Sequence, residues 1–220
     1  MTQKRRTKTD AKPRVKSVEG KTDNHKDYLR SIAEHDVTIC YGKAGTGKSY
    51  MVAGMAANML HRGDIDKIII TRPLVSSGKD PGALPGDMAL KIAPYILPMQ
   101  EYFQFFLGQA FYGHYFNNQQ IEYRPLEMMR GATFKNTFMI LDEGQNCTEK
   151  QLKLFLTRLG EGSKIVINGD TNQTDIAEKS GLMPVIEKLK HITKIGIIQM
   201  GSADIMRHGL IAEILDALEN

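Results

Sequence analysis

Residues 42–49 read Gly42-Lys43-Ala44-Gly45-Thr46-Gly47-Lys48-Ser49, a full match to G-x-x-x-x-G-K-[ST]. This segment constrains the chain more than any other. The motif works only between a strand and a helix, where its glycines let successive backbone N–H groups converge on phosphate oxygens and the helix dipole adds positive potential. The flanks agree. Val37-Thr38-Ile39-Cys40-Tyr41 is a run of apolar and β-branched residues that reads as a buried strand, and 49–61 reads as a helix ending near Gly63. In such a loop Lys48 reaches the β- and γ-phosphates and Ser49 holds Mg²⁺. A phosphate loop also commits the rest of the chain to a parallel sheet covered by helices.

The remaining apolar segments fit that commitment. Further strands are expected at 67–71, 137–141, 164–168 and 194–200, with helices at about 148–159 and 204–218. The strands are continuous apolar runs, the mark of strands buried on both faces. The fold class is therefore α/β, a single P-loop domain with a mostly parallel sheet flanked by helices. Residues 74–135 are less regular and read as an insertion. They begin with the Gly/Pro-rich stretch at 78–87, followed by a helix near 88–107 and a short strand near 121–124. At 220 residues, the chain has no room for two full α/β nucleotide-binding domains.

The net charge of +4 is unevenly placed: residues 1–30 hold ten Lys/Arg against four acids. Residues 1–22 are expected to be a disordered basic tail, able to reach a phosphate backbone, with the folded domain over 23–220. Two cysteines, Cys40 and Cys147, cannot form a disulfide framework and suit a reducing cytosol. The chain has no stretch approaching the ~18 apolar residues that span a bilayer, so a cytoplasmic location and no membrane partner are expected.

Two further segments carry chemistry. Phe138 to Leu141 runs into Asp142-Glu143. An Asp at such a strand end holds Mg²⁺, and a Glu directly after it can orient and deprotonate a water. That pairing favours hydrolysis of a nucleoside triphosphate over phosphoryl transfer to a small molecule. The polar run Asn168 to Gln173 follows the fourth strand, and Gln173 is a candidate to sense the γ-phosphate or to place the water. Hydrolysis also profits from an arginine at the γ-phosphate, and Arg72, Arg130, Arg158 and Arg207 are the candidates.

These segments, in this order, resemble the PhoH family of P-loop ATPases, related to the RecA-like domain of superfamily 1 helicases. GKAGTGKS at 42–49 resembles its Walker A and TRP at 71–73 its motif Ia. GALPGD at 82–87 resembles a distinctive family loop, and LDEGQN at 141–146 its Walker B. The stretch 155–175 resembles its motif III region and SADIMRH at 202–208 its C-terminal signature. The resemblance implies a RecA-like fold, ATP and Mg²⁺ as cofactors, and Gln173 coupling nucleotide state with Gln145 nearby. It ranks Arg207 first and Arg158 second as a finger supplied in trans.

Relatives often carry Asn-Gln before the first strand, where the Gln reads adenine. Here the pair is Asn24-His25, which leaves His25 at the base with fewer hydrogen bonds to offer. Gly144 stands where relatives usually have Ala, a change expected to matter little. By the same resemblance the chain is expected to form a homo-oligomeric ring, a hexamer by analogy, on single-stranded RNA or DNA, with no nuclease domain. The aromatic residues between Tyr95 and Phe116 could stack on bases, though an aromatic helix more often packs into a core or a subunit interface. The compact form with a basic leader resembles versions found in phages as well as bacteria. The alternative function is a nucleotide-dependent switch or assembly protein without strand-linked turnover.

Overall fold

The computed structural model describes residues 15–73, 88–170, 173, 175–176 and 179–206, with side chains from residue 96 onward in the helix that begins at 88. The basic residues 1–14, the loop at 78–87, Tyr95's side chain, Thr171, Asn172, Arg207 and most of the closing helix expected to 218 lie outside the described residues.

The described strands are β1 (Val37–Gly42), β2 (Lys67–Thr71), β3 (Ile121–Tyr123), β4 (Thr137–Leu141), β5 (Lys164–Gly169) and β6 (Ile195–Met200). They form one sheet in the order β3-β2-β4-β5-β1-β6. Every pairing is parallel. The helices are α1 (Asp23–Glu34), α2 (Lys48–Arg62), α3 (Met88–Leu107), α4 (Gln109–Asn117), α5 (Glu149–Leu156) and α6 (Leu182–Leu189). The strand that leads into the phosphate loop and the strand that ends in Asp142 are separated by β5. This is a RecA-like P-loop fold.

Alternate residues of each strand feed two cores. Cys40, Ile68, Ile70, Phe138, Ile140 and Val166 pack on one face with α1, α2, α3 and α4. Ile39, Ile69, Met139, Leu141, Ile165 and Ile167 pack on the other with α5 and α6. Burial on both faces explains why the strands read as continuous apolar runs.

The insertion holds two helices and an edge strand, with β3 lying parallel to β2. Its aromatic residues are mostly core: Phe103, Phe106 and Tyr112 are buried, and Tyr102, Phe111 and Tyr115 pack against them. Among the described side chains of this set, Phe105 and Phe116 keep large exposed areas.

Residues 15–22, expected in the tail, lie against the domain. The Lys16 N–H donates to the Phe106 carbonyl at 3.1 Å, and its own carbonyl accepts from the Asn58 amide at 3.1 Å. Val15 and Val18 pack on the first core. Two isolated valines in a polar stretch gave no periodic signal, and their partners are on α2 and α3.

Candidate functional site

The site forms at the carboxyl edge of the sheet, where such folds gather ligands. A cleft of about 680 Å³ is lined there by residues 44–51 of the phosphate loop and α2, by Arg72, Asp142, Glu143, Asn168, Gly169, Asp170 and Gln173, and by Glu19, Lys21, His25, Pro98, Tyr102 and Met206.

The loop sequence explains its shape. Gly47 caps α2 with φ 81° and ψ 13°, a left-handed conformation that costs a side-chain-bearing residue roughly 1–2 kcal/mol. Lys48 then opens a helix whose first N–H groups have no intrahelical partner, which makes an anion cradle. The Lys48 ammonium lies back on the loop. It donates to the Gly42 carbonyl at 2.8 Å, the Lys43 carbonyl at 2.9 Å and the Thr46 hydroxyl at 3.3 Å. Burial draws Lys48 below its ordinary amine value, against the pull of Asp170, Asp142 and Glu143.

Asp142 sits one residue past β4, its N–H held by the Thr71 carbonyl at 3.0 Å. The Ser49 hydroxyl donates to Asp142 Oδ1 at 2.8 Å. Burial, and then the Glu143 charge beside it, push the Asp142 carboxyl above the usual carboxylate range. A hydroxyl and a carboxylate in contact, beside a phosphate cradle, fit Mg²⁺, which takes hard oxygen ligands and keeps waters and phosphates for the rest of its shell. Among the described residues no cluster of three His, Cys, Asp or Glu forms a metal cage. None is needed for this mode.

Glu143 has φ 58° and ψ 41°, a left-handed backbone uncommon for a residue with a side chain and often found at functional sites. Its Oε1 is 3.1 Å from Arg72 Nη2, and its Oε2 accepts from Gln145 Nε2 at 2.6 Å. Gln145 Oε1 in turn accepts from the Asp170 N–H at 2.8 Å. Gln145 therefore joins the end of β4 to the end of β5. Sequence reasoning gave the coupling role to Gln173, which lines the cleft in an exposed position, and named Gln145 only as a neighbour.

Of the three candidate arginines among the described residues, Arg72 lines the cleft. Arg158 donates to the Ala132 carbonyl at 2.9 Å and Arg130 is exposed, neither lining the cleft. Arg207 lies outside the described residues.

His25 lines the cleft, but both ring nitrogens are engaged within the protein. Nδ1 accepts from the Thr22 N–H at 3.3 Å, completing a capping box on α1. Nε2 therefore carries the proton and donates to the Thr46 carbonyl at 3.0 Å. The expectation for His25 was contact with a base; in this structure it braces the phosphate loop.

A second brace was missed entirely. Asp204 accepts from the Thr22 hydroxyl at 2.5 Å, the Asn24 amide at 2.8 Å and the Gly201 N–H at 2.8 Å. Two residues later the Met206 N–H donates to the Gly45 carbonyl at 2.9 Å. Parallel pairing of β1 with β6 brings Gly42 beside Met200, so the segments that follow these strands meet at the loop. Burial would raise the Asp204 carboxyl, but these donors hold it below the usual carboxylate range. Its stabilising contribution is complete above the ordinary carboxylate pKa and is lost as pH falls through the depressed value. Asp204→Asn turns an amide N–H₂ toward donors, and we expect a loss of about 1–3 kcal/mol at pH 7. Chemical denaturation from pH 7 to pH 3 checks this: the gap between wild type and variant should narrow in acid.

The expectation that Gly144 matters little is corrected by its packing. A Cβ there would lie 2.8 Å from Ile167 Cγ2 and 3.1 Å from the Asn168 carbonyl oxygen. The Asp142–Asn146 turn would have to move off β5. We expect Gly144→Ala to cost about 1–3 kcal/mol, read as a lower denaturation midpoint with an unchanged slope.

Comparisons with known proteins show the family of the chain. The family model described as "PhoH-like protein" matches residues 17–219. A PhoH-like protein of Bacillus subtilis is 41% identical over 206 residues, covering 93% of this chain and 65% of that protein. One of Synechocystis is 40% identical over 204 residues, covering 92% and 62%. Protein PhoH of Escherichia coli K12 is 39% identical over 194 residues, covering 86% and 55%. The chain thus spans less than two thirds of the length of these bacterial relatives. Among solved structures, a Sulfolobus solfataricus SWI2/SNF2 ATPase core in complex with dsDNA is similar at 13% identity and a TM-score of 0.44, over 71% of this chain and 33% of that one. No described helix is long and apolar enough to cross a membrane.

Proposed function

The chain belongs to the PhoH family, and on that premise we propose that it binds ATP with Mg²⁺ and hydrolyses it. The observation that carries this reading is the convergence of Lys48, Ser49, Asp142 and Glu143 in one cleft, with a hydroxyl–carboxylate contact of 2.8 Å at its centre.

The loop N–H groups of residues 44–49 hold the phosphates, and Lys48 leaves the loop carbonyls for the β- and γ-phosphate oxygens. Ser49 and Asp142 would hold Mg²⁺, which would neutralise charge developing on the phosphates. Glu143 orients a water in line with the γ-phosphorus and takes its proton as the new P–O bond forms. The bond from the γ-phosphorus to the bridging oxygen breaks and leaves ADP.

We extend the reading to a homo-oligomeric ring, hexameric by analogy, acting on single-stranded RNA or DNA. In such a ring a neighbouring copy supplies the trans cation, with Arg207 first and Arg158 second in that role. The basic residues at the start of the chain suit a phosphate backbone. The reading as a slow nucleotide switch is favoured by one observation, that partners hold both Glu143 oxygens.

ATP hydrolysis across a protein concentration series, with and without single-stranded RNA and DNA, separates the two. Specific activity that rises with concentration and again with strands supports the ring. Activity indifferent to both supports the switch.

A further inference from the structure

Arg72 was one of four candidate arginines in the sequence, and its place in the fold is tightly set. β2 and β4 are parallel neighbours with Thr71 level with Leu141. The residues just past each strand therefore meet, and Arg72 reaches Glu143 at 3.1 Å. Pro73 follows and biases Arg72 to extended backbone, continuing the line of β2 toward the cleft. The Arg72 side chain is 30% exposed, and Arg72 lines the same cleft as Lys48, Ser49 and Asp142. It thus lines the cleft of the phosphate loop with the expected base as its ion-pair partner.

Glu143 is held on both sides, by Arg72 at Oε1 and by Gln145 at Oε2. These partners set its direction. A guanidinium prefers oxyanions it can engage with its planar fork, and a terminal phosphate offers more charge than one carboxylate.

We propose that Arg72 is a cation acting in cis that reads the γ-phosphate, an inference that rests on the ATPase reading above. Without a triphosphate it pairs with Glu143 and keeps the base turned from the water. With a triphosphate in the cleft it moves to a γ-phosphate oxygen, and Glu143, still steered by Gln145, is released to the water. A diphosphate leaves the Arg72–Glu143 pair intact. The same residue thereby couples the identity of the nucleotide to the readiness of the base.

The test is equilibrium binding of a non-hydrolysable ATP analogue and of ADP, both with Mg²⁺. The proteins are wild type, Arg72→Ala, Arg72→Lys, Glu143→Gln and the double variant Arg72→Ala/Glu143→Gln. Wild type should prefer the triphosphate. Arg72→Ala should lose roughly 10- to 100-fold in affinity for the analogue with ADP binding unchanged, which also shows that the cleft has folded. Arg72→Lys should recover part of the loss.

The loss must persist when Arg72→Ala is made in the Glu143→Gln background. If it disappears there, an unpaired Glu143 was repelling the phosphate, and the proposal is overturned. A preference left intact by Arg72→Ala overturns it too, leaving only a static ion pair. If wild type binds neither nucleotide, the ATPase reading itself fails, an outcome that does not depend on any Arg72 variant.

Discussion

Glu143→Gln is expected to leave ATP bound and to stop its hydrolysis, lowering turnover by roughly 10²- to 10⁴-fold. The amide keeps the size of the carboxylate and can still accept from Gln145, which donates at 2.6 Å in the native chain. It cannot take a proton from water. Affinity for ATP should change little, because the loop N–H groups, Lys48 and Ser49 are untouched. Paired measurements of ATP binding and phosphate release check this. A variant that hydrolyses at the native rate would remove Glu143 from the base role, and one that loses ATP binding would make Glu143 a structural residue.

Lys48→Ala should act earlier, on the triphosphate itself. On the proposed reading the ammonium leaves the loop carbonyls for the β- and γ-phosphates, and removing one such donor typically costs about 10²- to 10³-fold in turnover. Triphosphate affinity should fall with it, and diphosphate affinity should fall less. The substitution also strips a donor from the Gly42 and Lys43 carbonyls, which Lys48 holds at 2.8 and 2.9 Å. A thermal melt of the variant is therefore part of the test. A folded variant with native turnover would contradict the role assigned to Lys48.

These two residues, with Ser49 and Asp142, were legible in the sequence because their chemistry depends on local spacing. A loop of fixed length between a strand and a helix can be read without knowing the fold. So could the two-sided burial of the strands, since Ile68, Ile69 and Ile70 alternate between two cores and leave no polar face.

What the sequence could not show depends on which strand ends are neighbours. Arg72 reaches Glu143 because β2 lies beside β4. Asp204 reaches Thr22 and Asn24 because β6 lies beside β1 and α1 packs on β6. Gln145 reaches Asp170 because β5 lies beside β4. None of these pairs has a short-range pattern, and their separations run from 25 to 182 residues.

His25 and Gly144 were weighed without the contacts that the fold gives them. Each was weighed by comparison of residue types at one position, an amide against an imidazole and a methyl against none. The structure decides both by contacts from elsewhere. The Thr46 carbonyl and Thr22 N–H claim the imidazole. Ile167 and Asn168 on β5 fill the space a methyl would need.

The central claim is that this cleft hydrolyses ATP with Glu143 as its base. Single-turnover phosphate release from labelled ATP, with Mg²⁺ and protein in excess, tests it most directly in wild type and Glu143→Gln side by side. The account predicts release by wild type and retained, uncleaved ATP in the variant. ATP that stays bound and uncleaved in wild type, or equal release by both proteins, would contradict it.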